Sequence, residues 1–90
     1  MPSWKDYERF LKNDGWTYMP RNSGVDKVYM KQLSDGAVLR TRVSKGSKEI
    51  GKGLFAVILG KQAQVSRAYF GKVLANSRAA SDDPKDRRER

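Results

Sequence analysis

The residues best suited to chemistry lie between positions 38 and 61, VLRTRVSKGSKEIGKGLFAVILGK, where six cations stand against one acid, Glu49. Arg40, Arg42, Lys45, Lys48, Lys52 and Lys61 surround a glycine-rich stretch that joins a strand pattern to a helix pattern. A positive loop feeding a helix start suits a phosphate, because the first helical turn presents unpaired N–H groups and lysines add mobile charge. The same charges also fit a solvated basic loop with no ligand. Within the stretch, GSKEIGKG at residues 46–53 nearly matches the phosphate loop of nucleotide hydrolases. Gly53 stands where that loop needs a magnesium-binding hydroxyl, and the preceding hairpin pattern is antiparallel, so nucleotide hydrolysis is rejected.

The chain has neither cysteine nor histidine, which excludes thiolate or imidazole zinc ligation and any histidine-based acid–base pair. No metal and no small-molecule cofactor is expected. Carboxylates, lysines and tyrosines remain for acid–base work. Among them Asp26 and Lys27, which follow a glycine turn at the opening of a strand, are the pair to watch. Their plainer reading is an ordinary surface pair.

The elements that must position these groups follow from periodicity. Ser3 caps a helix over about 4–13, with Trp4, Tyr7, Phe10 and Leu11 at helical spacing, and Gly15 ends it. A strand is expected over about 16–20, a second from 25 or 26 to 33, and a third over about 37–43. The Asp35-Gly36 hairpin signal joins the last two. In the third strand Leu39, Thr41 and Val43 must point one way and Val38, Arg40 and Arg42 the other. Leu54, Phe55, Ile58 and Leu59 place a helix over about 51–61, and Ser66 caps a last helix reaching about 75. The expected core includes Trp4, Tyr7, Leu11, Leu39, Val43, Phe55, Ile58 and Leu59. Residues 1–76 form the domain. Residues 77–90 hold no apolar residue larger than alanine and read as a disordered charged tail, with Lys85, Arg87, Arg88 and Arg90 as auxiliary contacts.

Ninety residues allow one small domain with a modest core. No apolar run approaches the ~18 residues of a membrane span, and the first ten residues carry no secretory leader, so a soluble cytoplasmic protein is expected. A net charge of +9 and a pI near 10.1 imply a polyanionic partner, of which nucleic acid is the commonest and an acidic protein or an anionic lipid surface the alternatives.

The order helix, three strands, helix resembles the HicA-like toxins of bacterial type II toxin–antitoxin systems, which are small mRNA-cleaving ribonucleases. Two stretches carry the resemblance. FLKNDGWTYMPRNSGVDKVYM, residues 10–30, is similar to the family's first-helix end, glycine-aromatic strand start and Gly-Ser-His step. VSKGSKEIGKGLFAVIL, residues 43–59, is similar to its strand end, Pro-x-His loop and the start of its last common helix. The resemblance spans about residues 4–61 and is closest to the subset described as cytotoxic translational repressors, which carry an extra C-terminal helix. It implies an α+β fold like the double-stranded RNA-binding domain, α-β-β-β-α with a three-stranded antiparallel sheet covered on one face, and an acidic antitoxin as partner. The family's catalytic histidine falls on Lys27, or on Asp26 if the alignment slips by one, and its loop histidine on Lys45. Arg21, Arg40, Arg42, Lys45, Lys48 and Lys52 are then the RNA-binding residues. Lysine keeps the positive charge but not a group that titrates near neutrality. Three readings follow: the chain binds RNA without cutting it, it cuts with Lys27 or Lys45, or a native histidine has been replaced to escape toxicity. A protein-interaction module whose basic face docks an acidic partner is the alternative outside the family.

Overall fold

The computed structural model describes residues 2–20, 26–46 and 48–88. Helix α1 (Trp4–Asn13) begins at a capping box in which the Ser3 hydroxyl accepts from the Asp6 N–H and the Asp6 carboxylate accepts from the Ser3 N–H. It ends in a Schellman motif. The Gly15 N–H bonds to the Lys12 carbonyl at 3.2 Å and the Trp16 N–H to that of Leu11 at 3.0 Å, with Gly15 at φ 84°. This closure uses the Trp16 backbone, so strand β1 is Thr17–Met19 rather than the expected 16–20.

Strands β2 (Lys27–Gln32) and β3 (Val38–Val43) form the expected hairpin, in sheet order β1-β2-β3 with both pairings antiparallel. Gly36, at φ 92°, takes the left-handed position of the turn, and the Leu33 N–H donates to the Ala37 carbonyl at 2.8 Å. Leu39, Thr41 and Val43 are buried while Val38, Arg40 and Arg42 are exposed, as pleat alternation requires.

The helices lie on the buried face, which makes an α+β domain of the expected α-β-β-β-α order. Helix α2 (Lys52–Val57) continues into a π-helical segment, Ile58–Ala63, two residues beyond the expected end at 61. The wider turn brings Ala63 beneath Ile58, five residues earlier, a pair that ordinary helical spacing would splay, and both are buried with Leu59. It also aims Gln62 at the sheet: the Thr41 hydroxyl donates to Gln62 Oε1 at 2.6 Å and pairs with the Tyr7 hydroxyl at 2.8 Å. Helix α3 (Arg67–Ala75) starts at the Ser66 cap and packs on α1, with Phe10 and Phe55 rings 4.9 and 5.1 Å from Phe70. Seven of the eight expected core residues are buried, and Trp4 is half-buried beside Tyr7.

For residues 77–88 the expectation of a disordered tail is corrected, and residues 89 and 90 lie outside the described residues. Residues 77–79 form a 3-10 turn and Pro84–Arg88 a short helix, α4. The tail buries charge rather than apolar area. Arg87 is fully buried, its Nη1 donating to Asp14 Oδ2 at 2.9 Å and Oδ1 at 3.1 Å, and its Nη2 to the Ala63 carbonyl at 2.9 Å. Asp14, equally buried, also accepts from Trp16 Nε1 at 2.7 Å and the Tyr69 hydroxyl at 2.6 Å. Asp82 meets the buried Lys31 ammonium at 2.6 Å.

Removing one partner of a buried ion pair leaves a charge with no compensation, at a cost of about 3–5 kcal/mol. Arg87→Ala is therefore expected to lower stability by about that much, measured by urea unfolding. The double variant Asp14→Ala/Arg87→Ala should lose much less than the sum of the two singles. A change under about 1 kcal/mol in Arg87→Ala would show the tail to be only an appendage.

Candidate nucleic-acid interface

The basic loop after β3 is pinned at its far end. Ile50 is 1% exposed and fills the core, its N–H donates to the Pro2 carbonyl at 2.9 Å, and the Trp4 N–H donates to the Lys48 carbonyl at 3.0 Å. A single antiparallel bridge between Ser3 and Glu49 completes the tie to the start of α1. Lys45, Lys48 and Lys52 are exposed along this tethered segment. Gly46, at φ 111°, makes the bend that only glycine adopts easily. The far end of the loop, Lys48 to Ile50, is thus a rim tied to the start of the first helix.

Cross-strand register sets the rest of the surface. Lys27 is opposite Val43, two residues before Lys45, so the opening of β2 and the departure of the loop share one end of the sheet. Lys27 belongs to the helix-facing side with Tyr29, whereas Arg40 and Arg42, opposite Met30 and Val28, project from the other side. The sequence-derived set is therefore divided. Lys27 opens β2 at the end of the sheet from which the loop of Lys45 and Lys48 departs, and the two arginines sit on the uncovered face of the sheet with Val28, Met30 and Val38. Asp26 is half-buried just before β2. Arg21 lies outside the described residues.

The neighbours of Lys27 were not anticipated as site residues. Its Nζ is 3.2 Å from Glu8 Oε2, and the Tyr29 hydroxyl donates to the same oxygen. A shallow cleft of about 420 Å³ opens over this group, lined by Glu8, Lys12, Trp16, Tyr18, Lys27 and Tyr29. Helical spacing places Glu8 and Lys12 on one side of α1, and strand alternation pairs Lys27 with Tyr29. Which side of α1 meets which end of the sheet depends on packing.

The cleft's electrostatics follow from this geometry. Burial by itself would raise the Glu8 carboxyl, but the hydrogen bonds from Tyr29 and Lys27 outweigh it and hold the group below its ordinary value of 4.5. Burial, and then the Glu8 carboxylate, push the Tyr29 phenol well above its usual range. The carboxylate is a poor proton acceptor at neutral pH and the phenol a poor donor. Among the described residues, no three metal-ligating side chains come together, and no helix is long and apolar enough to cross a membrane.

A carboxylate whose folded-state value is depressed stabilises the fold above its unfolded value, and that contribution is lost as pH falls through the folded value. Glu8→Gln should therefore be less stable than the parent at pH 7, by about 1 kcal/mol. The gap should narrow below pH 4.5 and vanish once Glu8 is protonated in both states, as paired thermal melts across the acid limb will show. Among known proteins, no family model, no curated protein and no solved structure matches this chain, so its own residues carry the functional reading.

Proposed function

We propose that the chain is a cytoplasmic RNA-binding domain of HicA-like type, acting on mRNA as a weak or non-cleaving relative of the toxins. The observation that carries this reading is that Lys27, opposite Val43, opens β2 at the end of the sheet from which the loop of Lys45 and Lys48 departs, a loop tied through Lys48 and Ile50 to the start of α1. Exposed cations on a segment tied to the first helix suit the phosphates of an RNA strand, and their contribution falls steeply with salt through counterion release. The family position of the histidine holds Lys27, paired with a carboxylate and a phenol that are both tuned away from neutral pH. That group supplies charge and hydrogen bonds rather than a proton relay.

A second reading rests on the uncovered sheet face, where Arg40 and Arg42 flank Val28, Met30 and Val38, the last 58% exposed. Apolar and basic groups side by side suit an acidic protein partner such as an antitoxin. Two sets of alanine substitutions distinguish the surfaces. Lys45→Ala/Lys48→Ala/Lys52→Ala should abolish binding of double- or single-stranded RNA in a shift assay at one fixed salt concentration, and Arg40→Ala/Arg42→Ala should weaken it far less. The opposite order would move the interface to the open sheet.

Catalysis has its own test. Lys27→His should cleave a labelled mRNA roughly 10²- to 10⁴-fold faster than the parent, the contribution of a positioned general acid or base. If the parent cleaves and both Lys27→His and Lys27→Ala lose that activity, lysine is the catalyst and the non-cleaving assignment falls.

A further inference from the structure

We propose that the cleft between α1 and the first two strands reads a single unpaired guanine in the bound RNA. This rests on the RNA-binding reading and adds a base specificity to it. The cleft combines an acceptor, a stacking surface and flanking cations, the three parts that recognition of a splayed-out base requires.

The acceptor is Glu8. A carboxylate offers about four lone-pair positions and no donor, and Tyr29 and Lys27 use positions on Oε2 while fixing the side chain in place. Guanine has two neighbouring donors on its Watson–Crick edge, N1–H and the N2 amino group, which match a carboxylate in a paired, charge-assisted arrangement. On the same edge adenine sets a ring-nitrogen acceptor beside its amino group, and cytosine does likewise. Uracil flanks its single N3–H with two carbonyls. Each of these brings a lone pair against the carboxylate.

The stacking surface is Tyr18. The residue is 48% exposed, and its ring lies 5.5 Å, centroid to centroid, from the buried Tyr29 at a tilt of 50°, which holds it beside the cleft. Trp16 lies beneath the cleft, buried, with its indole N–H committed to Asp14. Lys12, one turn beyond Glu8 on α1, and Lys27 both line the cleft and supply positive charge for the phosphates that flank an inserted nucleotide. A volume of about 420 Å³ lies within the range of sites that hold small organic ligands.

The test uses four labelled single-stranded RNAs of one length, each a uridine run with G, A, C or inosine at a single central position, plus the plain uridine run. Anisotropy titrations with the full chain should place G tightest. Inosine, which lacks the amino donor, should lose about tenfold, and A, C and U more. In Glu8→Gln the order should collapse to within about twofold. Tyr18→Ala should weaken the G oligomer by about tenfold or more. Equal affinity for all five RNAs, or a guanine preference that survives Glu8→Gln, would overturn the proposal while leaving RNA binding intact. Failure to bind any of the RNAs would remove it together with the reading on which it rests. The inosine comparison needs no protein variant, so an unfolded Glu8→Gln would not protect the idea.

Discussion

The fold depends on how a carboxylate with no access to solvent is supplied with hydrogen-bond donors. Asp14 sits at the end of α1, where the chain turns towards the sheet, and takes hydrogen bonds from an indole, a phenol and a guanidinium that come from separate parts of the sequence. Burial of a lone carboxylate would cost several kcal/mol, and even a good pair roughly breaks even against an apolar replacement. The arrangement therefore contributes register more than net stability: α1, β1, α3 and the C-terminal residues are brought to one point. Arg87 also lies over the Tyr69 ring at 5.2 Å and reaches the carbonyls of Ser81 and Ala63. Burial, and then the Asp14 carboxylate, push the Tyr69 phenol above its usual range, so it stays a donor. Among the described residues Arg87 Nε has no hydrogen-bond partner.

The C-terminal segment answers a second buried charge as well. Lys31 lies on the helix-facing side of β2, where alternation would ask for an apolar residue, and its ammonium donates to the Asp14 carbonyl and meets Asp82. The Lys31 hydrogen bond lowers the Asp82 carboxyl. The Asp82 carbonyl in turn accepts from the Ser34 N–H in the β2–β3 hairpin at 2.9 Å. A segment with almost no apolar side chain is thus held by opposite charges that the sheet and first helix leave buried. Its order is a consequence of their needs.

Two carboxylates of the first helical region meet different fates for the same physical reason. Asp14 is enclosed and fully occupied, and its task is structural. Glu8, two turns earlier, has a side chain 16% exposed at the lip of a cleft, with Tyr29 and Lys27 holding it from one side. The turn that ends α1 encloses Asp14, whereas the middle of the helix leaves Glu8 at the edge of the cleft. The basic loop, tied to the start of the same helix, brings the excess positive charge alongside. The arginines of β3 face away from that rim because the strand alternates.

Much of this was legible in the sequence because it depends on neighbours within a few residues. The bounds of α1 and α3, the hairpin at Asp35-Gly36 and the alternating β3 face follow from caps, glycine conformation and periodicity. The basic stretch from 38 to 61 was plain from composition. Local rules failed where the determining partner is distant in sequence. Arg87 lies 73 residues from Asp14, in a run whose composition resembles a disordered tail, and no periodicity marks a guanidinium that will be buried. Lys27 was visible as a strand-opening cation, whereas its pairing with Glu8 and Tyr29 required the rotation of α1 on the sheet. The π-helical extension arose from the reach of Gln62 to Thr41 and the burial of Ala63. Sequence thus determined the elements and the sign of the surface. Tertiary packing decided which charges were buried, which were gathered into a cleft and which were turned away, because those outcomes depend on contacts that form only when the layers close.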